Sequence, residues 1–267
     1  MSKIFDCITF FNENFIANLR FEILKDTVDY FIICESIFDH KGNKKKINFN
    51  LKNNIYKNKI IHLIHDKPFN IKNNAWQNQA EQREYIFNTL KSAEDEDYIM
   101  FSDPDEIPDP NTLRQLNLKK KYGIFLQKMY CYKFNVFNQH ESPWEGTRIC
   151  KKKNLKSINY MRQKVLLKNL KQPFWKIYKE KNIESFEDGG WHFNSLLTPE
   201  EISLKLKTFA HTEFSKPEYS DVNIIKENIQ QNRDLFKRNL TYKKVALDNT
   251  FPKYILENKK ELNYWIL

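Results

Sequence analysis

The stretch Tyr98–Pro110, YIMFSDPDEIPDP, restricts the fold more than any other part of the chain. Tyr98, Ile99, Met100 and Phe101 form an apolar run bounded by acidic and turn residues, the pattern of a strand buried on both faces of a sheet. Ser102, Asp103, Pro104, Asp105 and Glu106 follow, three carboxylates within four residues. In an open α/β sheet, ligands bind in the crevice beyond the carboxyl ends of the strands. Carboxylates crowded there repel one another unless a cation sits between them. A hard divalent ion, Mg²⁺ or Mn²⁺, takes oxygen ligands and usually bridges to substrate phosphates. Pro104 fixes its own φ and biases Asp103 away from helix, which stiffens the turn. The competing reading is an ordinary turn, with Asp109-Pro110 opening the next helix. A DxD alone does not separate the two.

The rest of the chain supplies the sheet that such a turn needs. At 267 residues it can bury a large core. Residues 3–11 read as a first strand, and Asn12 is placed to cap a helix whose Phe15, Ile16, Leu19, Ile23 and Leu24 recur at helical spacing. Residues 29–35 and 60–64 are two further strands. A helix is predicted over 76–90, with Trp76, Ala80, Ile86, Phe87 and Leu90 on one stripe. Alternation of this kind gives a mostly parallel sheet covered by helices. A short helix to about Leu118 follows Pro110, then a bent strand or hairpin over 123–138 and a strand over 148–152. Residues 155–181 carry no clear periodicity. The two glycines before Trp191-His192-Phe193 indicate close backbone approach. Thr198-Pro199-Glu200-Glu201 opens a helix with a capping box, and the chain is helical again from Pro217.

Composition removes several function classes. The four cysteines, Cys7, Cys34, Cys131 and Cys150, are far apart and lie in apolar runs, so they read as buried thiols of a reducing compartment rather than a disulfide framework or a zinc site. No run reaches the length of a membrane span, and the first residues are too polar for a signal peptide. A soluble, cytoplasmic protein is expected, with surface attachment to a membrane left open. The net charge of +10 admits an acidic partner. The basic residues are dispersed and match no nucleic-acid motif, so no nucleic acid is expected.

Five blocks, IFDCITFFNENFIANLRFEIL, VDYFIICES, FSDPDEIP, GGWHF and FAHTEF, occur in an order that resembles glycosyltransferase family 17 over about residues 3–215. That family includes enzymes that add a bisecting N-acetylglucosamine to N-glycans, and many microbial relatives. The resemblance implies a GT-A fold: a mostly parallel mixed α/β sheet flanked by helices that binds a nucleotide-sugar, with residues 1–215 as the catalytic domain and 216–267 as a helical extension packed on it. It implies a divalent metal held by the DxD, UDP-N-acetylglucosamine as donor, and inverting transfer to an acceptor hydroxyl. The N-terminus lacks an anchor, which points to a microbial surface glycan or glycolipid as acceptor rather than an N-glycan.

Carried onto this chain, the resemblance gives Asp105 to the metal and Asp103 to the ribose or, through water, to the metal. Glu106 either joins them or braces the loop. His192 and His211 are candidate metal or phosphate ligands, and Trp191 offers a sugar-stacking face or a core ring. Asn12, Glu13 and Glu35 end strands on the nucleotide side, where capping or structural hydrogen bonding competes with donor contact. Arg83 and Arg148 are candidates to neutralise a diphosphate, or surface ion-pair partners. Inversion needs a base; Glu145, Glu187, Asp188 and Glu213 are available, and Asp188 or Glu187 is preferred for its position before GGWHF. Two other classes compete, a DxD phosphohydrolase with Asp103 as nucleophile and a non-catalytic basic binding module.

Overall fold

A computed structural model describes residues 2–208 and 212–267. The four expected apolar runs are β1 (Ile4–Phe10), β2 (Tyr30–Ser36), β3 (Ile60–His65) and β4 (Tyr98–Ser102). They lie in the order β3-β2-β1-β4, all parallel. Helices α1 (Asn14–Leu24) and α2 (Ala75–Tyr85) make two of the connections. The chain leaves β1 toward β2 and later returns to β1's other side as β4. A crevice therefore opens at the carboxyl ends of β1 and β4, the switch point where α/β proteins bind ligands.

Beyond β4 the sheet becomes mixed. β5 (Glu106–Pro108) and α3 (Pro110–Arg114) follow the acidic turn. β6 (Tyr122–Cys131) and β7 (Val136–Phe137) form the hairpin, and β8 (Trp144–Lys151) lies antiparallel between β6 and β4. The stretch without periodicity resolves into α4 (Ile158–Lys164), capped by Ser157, and a 3-10 turn before β9 (Ile183–Phe186). β10 (Gly190–Asn194) runs parallel to β6 and antiparallel to β5. α5 (Pro199–Thr208), α6 (Pro217–Ser220), α7 (Val222–Gln230), β11 (Lys243–Lys244) and α8 (Lys253–Glu257) complete the described chain.

Period-2 alternation sorts β1 between two cores. Ile4, Ile8 and Phe10 pack with Ile16, Leu19 and Phe21 of α1, a cluster that also takes in Phe251 and Ile255 from the C-terminal segment. Phe5 and Cys7 pack with Ile158 and Met161 of α4. All four cysteines are free and buried.

Three local expectations change. α1 begins at Asn14 with Glu13 as its N-cap residue, and Asn12 does not cap it. The Glu13 carboxylate instead accepts from the Phe11 and Asn12 amides at 3.0 and 2.9 Å. α3 ends at Arg114, short of Leu118. α2 stops at Tyr85, becomes 3-10 over Ile86–Ser92, and buries Asn78, Gln79, Gln82 and Arg83 while Trp76 is 45% exposed. The polar face is inward because it has partners there: Gln82 Nε2 donates to the Cys34 carbonyl at 2.9 Å, and Asn78 Nδ2 to the His40 carbonyl at 3.0 Å. Buried amides so placed satisfy carbonyls of β2 and of the loop that follows it.

Candidate functional site

The acidic turn is held from below by Arg20, a fully buried arginine on the otherwise apolar face of α1. Its guanidinium donates to both Asp6 carboxylate oxygens, to Ser102 Oγ and to the Glu106 carbonyl, each at 2.6 Å. One planar fork thus ties β1, the end of β4 and the start of β5 together. From α4, Arg162 reaches Asp103 Oδ2 at 2.6 Å and Glu106 at 2.8 and 3.0 Å. Glu106 also accepts from Trp144 Nε1 at 2.7 Å and from the Asp103 amide at 3.2 Å. Glu106 therefore braces the loop, one of the two roles the sequence left open. Burial would raise the Asp103 carboxyl, but Arg162 and then Arg83 outweigh it and hold it below its ordinary value.

β10 zips onto β5 with His192 opposite Glu106, Trp191 opposite Ile107 and Gly190 opposite Pro108. The glycines permit this approach. A Cβ on Gly190, at φ +129°, would lie 2.2 Å from the Ile107 carbonyl oxygen, and one on Gly189 2.7 Å from that of Phe186. The close approach made by the pair is to neighbouring strands, not to a ligand. The pairing sets His192 Nε2 3.6 Å from Asp105 Oδ1, with Lys205 Nζ of α5 3.9 Å from Oδ2. Burial opposes ionisation of Asp105, yet His192 and then Lys205 hold its carboxyl well below the usual range. Burial likewise works against the His192 cation, but Asp105 raises it overall. Trp144 lies with its ring 5.1 Å from that of His192.

Asp103, Asp105, Trp144, His192 and Lys205 line a cleft of about 410 Å³, together with Glu13, Gln79 and Gln82 on one side and Glu141, Phe236 and Arg238 on another. Arg83 is buried on α2, its Cζ 6.0 Å over the Phe101 ring and its Nε without a hydrogen-bond partner. Among the described residues it has no ion-pair partner, although Asp103 and Glu106 both act on it electrostatically. Arg148 is also buried, and burial followed by repulsion from Arg162 brings it down to about 10. Its guanidinium donates to the Glu145 and Gly146 carbonyls.

Several expected residues serve the scaffold. Glu35 is fully buried and accepts from Lys45 Nζ, the Asn48 and Phe49 amides and His62, so it fastens the 45–49 loop and does not reach the cleft. Trp191 points to the opposite side of β10 from His192, as alternation requires. It packs in the core with Nε1 donating to the Thr250 carbonyl at 3.0 Å, which leaves no face for a sugar in the cleft. Asp188 is 80% exposed and pairs with Lys128 at 3.1 Å, lining a separate groove beside Gly190 and Thr250. Glu187 is exposed and accepts from Ser185 Oγ. The turn before β10 lies at the far end of that strand from Asn194 and Ser195 in the cleft, and neither carboxylate lines the cleft. Glu145 accepts from the Leu167 amide at 3.2 Å and does not line the cleft. Asn12 does not line it either. Glu213 is exposed and also outside the cleft lining. His211 lies outside the described residues.

Sequence reasoning missed Arg162, Trp144, Lys205 and Glu141. Arg162 falls in the stretch without periodicity and left no signal. Arg20 left one: a lone arginine in the run FIANLRFEIL and a lone Asp6 in IFDCITF are opposite charges on apolar faces, which implies a buried pair.

Among the described residues, no three His, Cys, Asp or Glu side chains are grouped to hold a metal by themselves. Asp105 and His192 are the pair that fits a share of one. His192 Nδ1 is buried without a partner, and both Asp105 contacts are longer than hydrogen bonds. Mg²⁺-type sites commonly use one or two carboxylates plus substrate phosphates.

An α/β sheet that delivers a braced acidic turn into a cation-rich cleft at its switch point has the build of an enzyme acting on nucleotide-linked substrates, here a glycosyltransferase. The chain belongs to glycosyltransferase family 17, which it matches over residues 1–265. A search of curated proteins found no match. Among solved structures, HddC from Yersinia pseudotuberculosis complexed with GMP-PN is 11% identical with a TM-score of 0.36, covering 70% of this chain and 90% of that one. A glycosyltransferase involved in glycosylation of the major capsid of PBCV-1 is 11% identical with a TM-score of 0.32, covering 70% and 82%. A putative glucose-1-phosphate thymidylyltransferase from Bacillus anthracis, in complex with a sucrose, is 11% identical with a TM-score of 0.36, covering 72% and 88%. Likenesses this faint carry nothing about substrate or mechanism.

Proposed function

We propose that the enzyme transfers N-acetylglucosamine from UDP-N-acetylglucosamine to a hydroxyl of a glycan or glycolipid, with inversion and with help from a divalent ion. The observation that carries this reading is the division of labour in the acidic turn. Arg162 locks Asp103 and Glu106, while Asp105 stands in the cleft facing His192 and Lys205. A divalent ion shared by Asp105 and His192 would supply positive charge to the departing diphosphate. Arg83 stands behind the cleft wall, outside its lining, and its charge acts on Asp103 and Glu106 rather than on a ligand. Gln79, whose Oε1 is buried without a hydrogen-bond partner, lines the cleft on the α2 side.

The base that takes the acceptor proton is assigned to Glu141. It lines the cleft three residues before Trp144, held by Asn138 Nδ2 at 2.8 Å and by Arg238 at 3.0 and 3.2 Å. That clamp fixes its direction, which general-base catalysis needs first.

Calorimetry of UDP binding tests the donor and the ion together. Binding should be tight in Mn²⁺ and weak in chelator, because two phosphates would otherwise meet the Asp105 carboxylate unscreened. Equal affinity in both would remove the ion, and no binding in either would remove the uridine nucleotide.

A further inference from the structure

The segment between α4 and β9 displays apolar side chains that the fold does not cover. Phe174, Trp175, Ile177 and Tyr178 are 84%, 66%, 90% and 70% exposed. Single exposed hydrophobic residues are ordinary, whereas a contiguous group marks an interaction surface. The segment is also shaped in advance. Lys176 N donates to the Pro173 carbonyl at 3.1 Å and Lys179 N to the Lys176 carbonyl at 3.0 Å, giving two successive turns. Lys176 Nζ donates to Gln172 Oε1 at 3.0 Å, Lys181 Nζ donates to the Pro173 carbonyl, and buried Asn169 secures the base through the Lys164 carbonyl at 2.7 Å.

Charge identifies what the surface meets. Residues 164–181 contain six lysines and one acid, Glu180. Glu180 is turned back onto α4, 3.5 Å from Tyr160 Oη and 3.7 Å from Lys156 Nζ, with its side chain 10% exposed. The outward field of the segment is therefore positive. Tryptophan and tyrosine favour the membrane–water interface, and neighbouring lysines add attraction to anionic headgroups. A second copy of this segment is a poor occupant, since a two-fold contact would set lysines against lysines. Among the described residues no helix is long and apolar enough to cross a membrane, so attachment here would be reversible.

We propose that residues 170–181 are a membrane-surface anchor, with Phe174, Trp175, Ile177 and Tyr178 entering the headgroup layer of an anionic lipid bilayer while the flanking lysines face its phosphates. The anchor stands independently of the donor and ion assigned above.

Co-sedimentation of the full chain with vesicles tests it. Binding is expected to phosphatidylcholine vesicles containing phosphatidylglycerol and not to phosphatidylcholine alone, and should weaken as salt rises. Replacing Phe174, Trp175, Ile177 and Tyr178 together by Ser should weaken binding by at least about tenfold. Lys171→Gln with Lys179→Gln, which keeps the apolar tip, should weaken it by about fivefold per lysine. Melting temperatures should be unchanged, because these side chains are exposed. Failure to bind anionic vesicles overturns the proposal, as does binding that survives both sets of substitutions. A dimer in analytical ultracentrifugation that the Ser variant disperses, with no vesicle binding, overturns it in favour of a second copy.

Discussion

At the scale of single residues, the site is a set of charges that hold one another at fixed protonation. Asp105 is the member that faces the cleft, so Asp105→Asn should leave the secondary structure intact and lower kcat by far more than tenfold. Tenfold is only about 1.4 kcal/mol of barrier, too little for a group proposed to meet the ion and the diphosphate. Glu141→Gln should separate from it, lowering kcat while UDP affinity stays near wild type, because a base acts on the acceptor proton. Nucleotide affinity that falls along with kcat would move Glu141 to the donor side. His192 adds a pH signature. Its cation is favoured in the fold above its ordinary 6.5, so the stability it contributes is fully present below that pH and is lost as pH rises through the raised value. Asp105 is depressed below its ordinary 3.8, so its share is present above that pH and is lost on acidification. Denaturation midpoints of the wild type and of His192→Gln should therefore stand furthest apart at about pH 6.5 and just below, and close up as pH rises from there through the raised value to alkaline pH. Curves that stay parallel across that range would remove the Asp105–His192 ion pair.

At the scale of elements, the pairing of β5 with β10 decides whether the site exists. Glu106 follows the acidic turn directly, and its register against His192 is what carries the histidine to Asp105. Gly190→Ala places a methyl group 2.2 Å from the Ile107 carbonyl at a φ of +129°. The strand cannot relax without leaving β5, so a loss on the order of 3 kcal/mol is expected, together with most of the activity. Urea denaturation reads the first and sugar transfer the second. A fully stable but inactive variant would mean that the pairing positions the turn without holding up the fold. α2 teaches a related lesson. Its predicted apolar stripe holds only in part: Ile86 and Leu90 are fully buried, but Trp76 and Phe87 are exposed, and Asn78 and Gln82 turn inward to the His40 and Cys34 carbonyls.

At the scale of the whole molecule, the segment beyond residue 215 shares the main core. Ile255 is fully buried with Ile8, Ile16 and Phe31, and Trp265 stacks on Phe15 with ring centroids 4.8 Å apart. We expect a single cooperative unfolding transition, with circular dichroism and tryptophan fluorescence coinciding. Ile255→Ala should shift the whole curve by about 2–5 kcal/mol, the range for a buried large-to-small change. Two transitions, with only the later one affected by the substitution, would make residues 216–267 a separate unit.

What the sequence determined by itself was whatever consecutive residues carry. Apolar runs of strand length and the helical spacing in α1 are local patterns, and they sufficed for the four parallel strands and for the acidic turn at the carboxyl end of β4. The ordered blocks did the same for the family. The tertiary structure alone decided which side chains meet across distance. Arg162 lies 59 residues from Asp103, and nothing near either residue announces the other. Glu187 and Asp188 sit only a few residues before His192 yet neither lines the cleft, Asp188 lying in a different groove, because a strand separates its two ends in space. Proximity along the chain ranked those carboxylates as bases. The pairing of β8 with β6 and the turn before β8 put Trp144 and Glu141 in the cleft instead, since pairing register is a property of two strands and cannot be written in either one.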